Sequence, residues 1–187
     1  MPANGLYDFP KGSGTTNATV PSMSLLADVR GDRVSAMNVY NCFTPSYDNY
    51  RIYGTLSLWS SLGQILVFRF IDRAGALSSA VYDGVITYAS TSGVFGVNQP
   101  GQTYARLNYP YPSTNAAQFI IDIVNPAVEA RTTYRSLMFS RGTGGSEWNS
   151  EFEYGATRVT NKFNGLQFLT TGGIMTTRVS VYGYRNL

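Results

Sequence analysis

The 187-residue sequence predicts an all-β protein, a jelly-roll-like antiparallel β-sandwich with an extended N-terminal arm. Apolar and polar residues alternate with a period of two over many short segments, which is the pattern of strands with one buried face. Glycine, asparagine and proline separate these segments and predict turns between them. No window keeps helical spacing over three turns, and eight or more short strands at this spacing are typical of a sandwich or barrel.

The predicted strands run from about residue 34 to the C-terminus. Residues 50–58 alternate regularly, and residues 65–71 are apolar on both faces except for Arg69, which predicts a central strand. A second inner strand is predicted at residues 119–124, before Asn125-Pro126. The other predicted strands are 80–88, 103–107, 130–140, 152–159, 165–169 and 175–184. Turns are predicted at residues 61–63, 72–75, 142–145, 164–165 and 172–173, with Asn164-Gly165 the strongest signal because both residues tolerate positive φ.

Residues 1–33 are predicted to form an arm or anchor, followed by the sandwich domain at residues 34–187. Leu6, Tyr7 and Phe9 precede a flexible polar stretch at residues 11–19. We expect these three residues to bind a neighbouring subunit, because a solvated tail has little reason to carry them together. The alternative is a disordered tail. Residues 23–29 could form a short helix or a strand.

Histidine is absent from the chain, and Cys42 is the only cysteine. A Ser-His-Asp or Cys-His nucleophile therefore cannot be built, nor can an ordinary zinc site. We expect a protein that is not an enzyme, with no catalytic residue, metal or cofactor. One cysteine excludes an internal disulfide, and no apolar run reaches the length of a membrane span. The first residues lack the pattern of a signal peptide, so we expect neither membrane insertion nor ordinary secretion.

Charged residues are only 13% of the chain, and the net charge is +3. The arginines are scattered along the sequence, whereas a nucleic-acid-binding protein usually clusters its cations. We therefore expect no nucleic-acid partner. Arginine greatly outnumbers lysine, and its planar guanidinium suits fixed interface contacts. Exposed strand edges in a protein of low charge invite pairing, so a homo-oligomer is expected.

Glu151 and Glu153 share one face of a predicted strand, beside aromatic residues. Paired carboxylates with aromatic neighbours are the outline of a glycosidase site. We interpret them instead as a charged, solvent-exposed strand edge, since nothing places a second acid across a cleft. Calcium binding is a weaker hypothesis, because the aspartates lack the dense spacing of a calcium loop. The pairs concerned are Asp72 with Asp83, and Asp28 with Asp32.

Four aromatic residues are predicted to face a ligand or a partner: Trp59, Tyr109, Tyr111 and Trp148. Tyr109 and Tyr111 alternate with prolines, which cannot donate to a central sheet, so this segment should form an extended loop that presents both rings. Aromatic faces stack on sugar rings and on protein surfaces. The alternative for the two tryptophans is that they close the ends of the sandwich.

Two segments resemble a β-sandwich domain of tailed-bacteriophage virion surface proteins. Residues 43–52, FTPSYDNYRI, are similar to its opening strand, with an aromatic residue, a Tyr-Asp-x-Tyr core and a basic-aliphatic run. Residues 173–185, GIMTTRVSVYGYR, are similar to its closing strand and its Tyr-Gly-aromatic-Arg ending. Residues 165–168, GLQF, match the penultimate strand. The resemblance spans residues 38–187, but its specific motifs lie at the two ends.

This resemblance implies a non-enzymatic structural protein of the virion, assembled in the host cytoplasm. Such domains occur in head-decoration, minor tail and tail-fibre proteins, whose partners are capsid or tail subunits. A short chain without a coiled-coil stalk favours capsid decoration or a minor structural role, anchored by the arm. A trimer is the common state of such projections. The alternative is a tail-tip or fibre module that binds a host glycan through the four aromatic residues.

Overall fold

The computed structural model describes residues 23–58, 65–90, 93–108, 117–141 and 148–185. Within these residues the chain forms thirteen strands and no helix, and every strand pairing is antiparallel. The strands are β1 (Ser24–Val34), β2 (Ala36–Val39), β3 (Asn49–Leu58), β4 (Leu66–Asp72), β5 (Gly75–Ala76), β6 (Tyr82–Ser90), β7 (Gly93–Gln102), β8 (Ala105–Asn108), β9 (Ala117–Val124), β10 (Thr133–Arg141), β11 (Trp148–Thr157), β12 (Gly165–Thr170) and β13 (Met175–Tyr184). The part of the chain so described contains no helix that could cross a membrane.

The strands form two sheets. The larger sheet has eight strands in the order β1-β13-β3-β9-β10-β11-β6-β7, and the smaller has the order β2-β12-β4-β5, with β8 also paired to β4. The chain crosses repeatedly between the sheets, so neighbours in sequence often lie in different layers. Strand β8 lies against β6, β10 and β11 of the larger sheet. The predicted all-β class and antiparallel sandwich arrangement are confirmed.

The core lies between the sheets and follows the period-two pattern of the central strands. Tyr50 and Ile52 of β3 and Ile121 of β9 are fully buried, and Phe68 of β4 in the smaller sheet belongs to the same buried cluster. Gly54 shares the buried face of β3, where an added methyl group would overlap the ring of Phe119. Glycine at this position therefore lets the aromatic ring of the neighbouring strand fill the core.

The predicted strands agree with the structure in the central part of the domain and differ at its edges. The inner strands expected at residues 65–71 and 119–124 are confirmed as β4 and β9. Strand β7 was not predicted, because three glycines and Pro100 interrupt its alternation. Residues 24–34 form β1, which pairs with β13. The boundary predicted at residue 33 thus falls inside a strand of the sandwich.

Two of the predicted turns illustrate different outcomes. The turn at residues 72–75 is confirmed as the β4–β5 connection, with Gly75 at a φ of 120°. The tight turn at Asn164-Gly165 is wrong, since neither residue has a positive φ. Gly165 instead begins β12, and a Cβ atom there would collide with the carbonyl oxygen of Val39 on β2. The glycine is needed for close strand packing rather than for a turn.

Candidate functional site

Most residues that the sequence singled out for binding lie outside the described part of the chain. This applies to Leu6, Tyr7, Phe9, Trp59, Tyr109 and Tyr111. Trp148 is the first residue of β11, where its backbone pairs with that of Arg141 on β10, and its side chain is not among those described. The roles expected for these residues stay predictions.

The larger sheet carries a second set of aromatic residues, on the face turned away from the smaller sheet. Strand register aligns Tyr53 of β3, Ile120 of β9, Leu137 of β10 and Phe152 of β11 in one row across four neighbouring strands. Phe139 and Tyr154 lie on the same face. We call these six residues the outer apolar face. Its four aromatic residues are between 39% and 57% exposed.

Each residue of the outer apolar face has a buried residue next to it in sequence. Tyr53 points outward because Ile52 points into the core, and Phe139 does so because Met138 is buried. Isolated apolar side chains are common on protein surfaces, whereas a contiguous patch usually marks an interaction site. The outer apolar face is therefore a candidate contact surface.

A fixed ion cluster borders the outer apolar face. Arg51 donates to Asp122 through Nε (2.6 Å) and Nη2 (2.9 Å), and Arg135 Nε donates to the same carboxylate at 2.8 Å. Burial alone would raise the pKa of Asp122, but the hydrogen bonds from both arginines outweigh it and hold the pKa below its ordinary value. Asp122 is consequently charged and holds both guanidinium groups in place.

A depression of about 560 Å³ lies beside this row, with Tyr53 and Phe139 among its lining residues. Gln118, Arg178 and Ser180 add polar groups to its surface. Arg178 is held by Asp28 of β1 through two hydrogen bonds of 3.1 and 2.7 Å. The depression thus combines aromatic rings with groups that can form hydrogen bonds, which is the composition of many binding sites for polar ligands.

The interpretation of Glu151 and Glu153 as a charged solvent edge is wrong. Both residues are only 3% exposed and face the smaller sheet from β11. The physical reason is the orientation of the strand: its carboxylates point inward, while Phe152 and Tyr154 point to the outer apolar face. Arg106 of β8 meets them from the opposite sheet, with its Nε 2.9 Å from Oε1 of Glu151.

We call Arg106, Tyr134, Ser136, Glu151 and Glu153 the buried acid cluster. The hydroxyl group of Tyr134 on β10 donates to Oε1 of Glu153 at 3.1 Å. Oε2 of Glu153 and Oγ of Ser136, the residue paired with it on β10, are buried and have no hydrogen-bond partner among the described residues. Gly84 of β6 gives the Glu153 carboxyl its space, because a Cβ atom there would collide with Oε1.

Burial raises the pKa of Glu153 to about 8, and the nearby charge of Glu151 adds to the effect. The hydrogen bond from Tyr134 and the charge of Arg106 oppose this shift only in part. Burial also raises the pKa of Tyr134. At neutral pH Glu153 therefore holds its proton. The pair combines one neutral acid with one carboxylate bound to arginine, both enclosed between the sheets.

The aspartates considered for calcium binding are occupied by protein groups. No cluster of three potential metal-binding side chains occurs in the described ranges. Arg178 donates to Asp28, Arg158 to Asp83, Asn161 to Asp72, and Thr176 to Asp32.

Comparison with known proteins does not assign the chain to a family. No protein-family model matches the chain, and no curated protein does. One solved structure with some similarity is that of a protein of unknown function from Shewanella oneidensis MR-1, at 12% identity and a TM-score of 0.31. The match covers 95% of this chain and 84% of the other. A likeness this weak carries no argument about fold or function.

Proposed function

We propose that the protein is a non-enzymatic structural component of a tailed-phage virion, either a capsid decoration protein or another minor structural protein. It would bind neighbouring capsid or tail subunits through the outer apolar face, with its N-terminal segment as an anchor. One observation carries the proposal. Strand β11 exposes Phe152 and Tyr154 while it buries Glu151 and Glu153.

This orientation leaves two large apolar side chains uncovered in a protein that remains alone. Burying a large apolar side chain stabilises a fold by about 1.5–3 kcal/mol, and that burial is missing at Phe152 and Tyr154. The opposite orientation of β11 would place the aromatic residues in the core. A partner that covers Phe152 and Tyr154 supplies the apolar burial that the isolated chain lacks, which favours a role in assembly.

The buried acid cluster supports a role without catalysis. A glycosidase needs two carboxyl groups that both reach the substrate. Glu151 and Glu153 are each 3% exposed, and Arg106 is paired with the first of them. In this arrangement the two acids serve the packing of the sandwich.

The virion assignment rests on the resemblance of residues 43–52 and 173–185 to phage surface domains. Residues 49–52 of the first segment lie in β3 and residues 175–184 of the second form β13, and these strands are hydrogen-bonded neighbours in the larger sheet. Gly183 packs closely against Tyr47 and Leu26, where an added Cβ atom would collide with both side chains. The similar segments therefore belong to one structural unit, as expected for fold determinants of a shared domain.

The proposal is tested with particles produced by a culture that carries the gene. The particles are banded by density and washed, and the chain is quantified in them by mass spectrometry. We expect the wild-type chain to band with the particles, and the Tyr53→Ser/Phe152→Ser variant to be reduced roughly tenfold or more, because hot-spot aromatic residues dominate such contacts.

The control is Val128→Ser, which replaces an exposed residue between β9 and β10. Melting temperatures establish that the variants are folded. Full incorporation of the double variant would exclude the outer apolar face as the contact surface. Absence of the wild-type chain from the particles would contradict the virion role itself.

The second candidate function is glycan binding at the virion surface, and the depression beside Tyr53 favours it. Aromatic rings stack on sugars, while Gln118, Arg178 and Ser180 offer hydrogen bonds to hydroxyl groups. A glycan array probed with the full chain should then give specific binding that Tyr53→Ala abolishes. Tyr40→Ala, at a tyrosine exposed elsewhere, should leave the binding unchanged. A blank array would leave the assembly role as the sole candidate.

A further inference from the structure

Strand β7 forms the far edge of the larger sheet, and in the described part of the chain it pairs only with β6. It is ten residues long and contains no charged residue. Val94 is 72% exposed, and Phe95 and Val97 are both more than 40% exposed. A long edge strand with apolar residues and unpaired backbone groups is a template for pairing with another strand.

The opposite edge of the same sheet is different. Strand β1 carries Asp28, Arg30, Asp32 and Arg33. Charged side chains on an edge strand are a common means of preventing unwanted strand pairing. One edge of the sheet is therefore protected in this way, and the other is not. Three glycines, one proline and a register shift between Gln99 and Gln102 interrupt β7, and both Pro100 and the shift lie near its C-terminal end.

We propose that β7 pairs in antiparallel fashion with β7 of a second copy of this chain, across a two-fold axis. The two larger sheets would then join into one continuous sheet. This inference is independent of the proposed function, since a dimer of this kind could serve a virion protein or any other.

The register follows from which residues share a face. Phe95 and Val97 pair with the inward-facing Tyr88 and Ile86 of β6, and the ring of Phe95 stacks on that of Tyr88 at 5.1 Å. An axis at Gly96 places Phe95 of each copy opposite Val97 of the other. Cross-strand pairs of an aromatic and a β-branched residue stabilise sheets, and this register forms two of them by symmetry.

Charge also favours a second copy as the occupant. An uncharged strand meets its own copy without repulsion, whereas the edge β1 would bring four charged residues to β7, which offers no counter-ion. Self-pairing across a two-fold axis is the commonest arrangement of homo-oligomers. The strand is thus matched best by itself.

A cysteine at the axis tests the inference. A Cβ atom at Gly96 has no neighbour closer than the Ile86 carbonyl oxygen at 3.9 Å, so Gly96→Cys fits without strain. Residues facing each other in antiparallel strands have Cα atoms about 4.5–5.5 Å apart, within reach of a disulfide. We expect most of the Gly96→Cys chain to form a disulfide-linked dimer under mild oxidation.

The matched control is Val94→Cys on the same strand. Val94 is highly exposed, but the axis at Gly96 separates the two copies of this residue by roughly 14 Å along the strands, too far for a disulfide. Cys42 is buried and does not compete. A dimer with Gly96→Cys and none with Val94→Cys supports the interface. Failure of Gly96→Cys to cross-link, or equal cross-linking of both variants, overturns it.

Discussion

Replacing Arg106 with methionine is expected to destabilise the fold by about 3–5 kcal/mol at neutral pH. The substitution keeps an unbranched apolar stem, shortens the side chain and removes its charge. In the wild type, Nε of Arg106 lies 2.9 Å from Oε1 of Glu151. In the variant, Glu151 would remain between the sheets without this cation. Because the two partners are only 12% and 4% exposed, water cannot compensate for the loss. Urea denaturation measures the change in the free energy of unfolding.

Two further variants separate this cause from simple loss of packing. Adding Glu151→Gln to Arg106→Met removes the unpaired charge and should restore much of the stability. Arg178→Met breaks an ion pair in which the arginine is 66% exposed and water screens the charges, so it should cost far less stability than Arg106→Met. If Arg106→Met costs no more than Arg178→Met, the buried ion pair is not a principal support of the sandwich.

Replacing Glu153 with glutamine is expected to remove most of the pH dependence of stability between pH 5 and 8. The folded protein holds the proton of Glu153 up to a pKa of about 8, whereas the ordinary value is 4.5. Between these values the unfolded chain releases the proton and the folded chain keeps it, so stability falls as the pH rises. Above pH 8 the variant should be more stable than the wild type by roughly 5 kcal/mol, because each pKa unit of the shift corresponds to about 1.4 kcal/mol.

The other titratable groups interfere little with this measurement. The chain has no histidine, the side chain whose ordinary pKa lies in this window, and burial raises the pKa of Cys42 to about 12. Tyr134, Glu151 and Arg106 face Glu153 from β10, β11 and β8, and glutamine keeps an acceptor for the Tyr134 hydroxyl group. Glu129→Gln, at an exposed carboxylate, should retain the wild-type slope. A slope unchanged in Glu153→Gln would show that another group binds the proton.

The strands of the core were predictable from sequence because they have clear period-two patterns. Ile52, Ile121 and Phe68 occupy the inward positions that alternation assigns to them. Strand β7 could not be predicted in this way. Among the described strands it borders only β6, and it has little burial to impose a pattern on its sequence.

Most residues of the candidate site could not be identified from the sequence, for a different reason. Alternation places residues 151 and 153 on one face of β11 and residues 152 and 154 on the other, but it does not say which face is inside. The usual rule puts aromatic residues inward and carboxylates outward. Here Arg106 and Tyr134, distant in sequence, supply a cation and a hydrogen bond that reverse the rule. Only the tertiary structure brings these residues together.

The buried acid cluster and the outer apolar face therefore meet at β11, which contributes residues to the first on its inner side and to the second on its outer side. The polar contacts inside hold β11 in the orientation that exposes Phe152 and Tyr154. A variant that weakens the inner cluster should for this reason also weaken binding by the outer face, even though it leaves the surface residues unchanged. The stability of the sandwich and its interaction surface are linked through β11.

Cryo-electron microscopy of banded particles from a culture that carries the gene tests the central claim most directly. We predict density for the sandwich on the particle, with the outer apolar face of the larger sheet against capsid or tail subunits. Tyr53 and Phe152 should lie within that contact. Particles without this density, or a sandwich attached with that face open to solvent, would contradict the account.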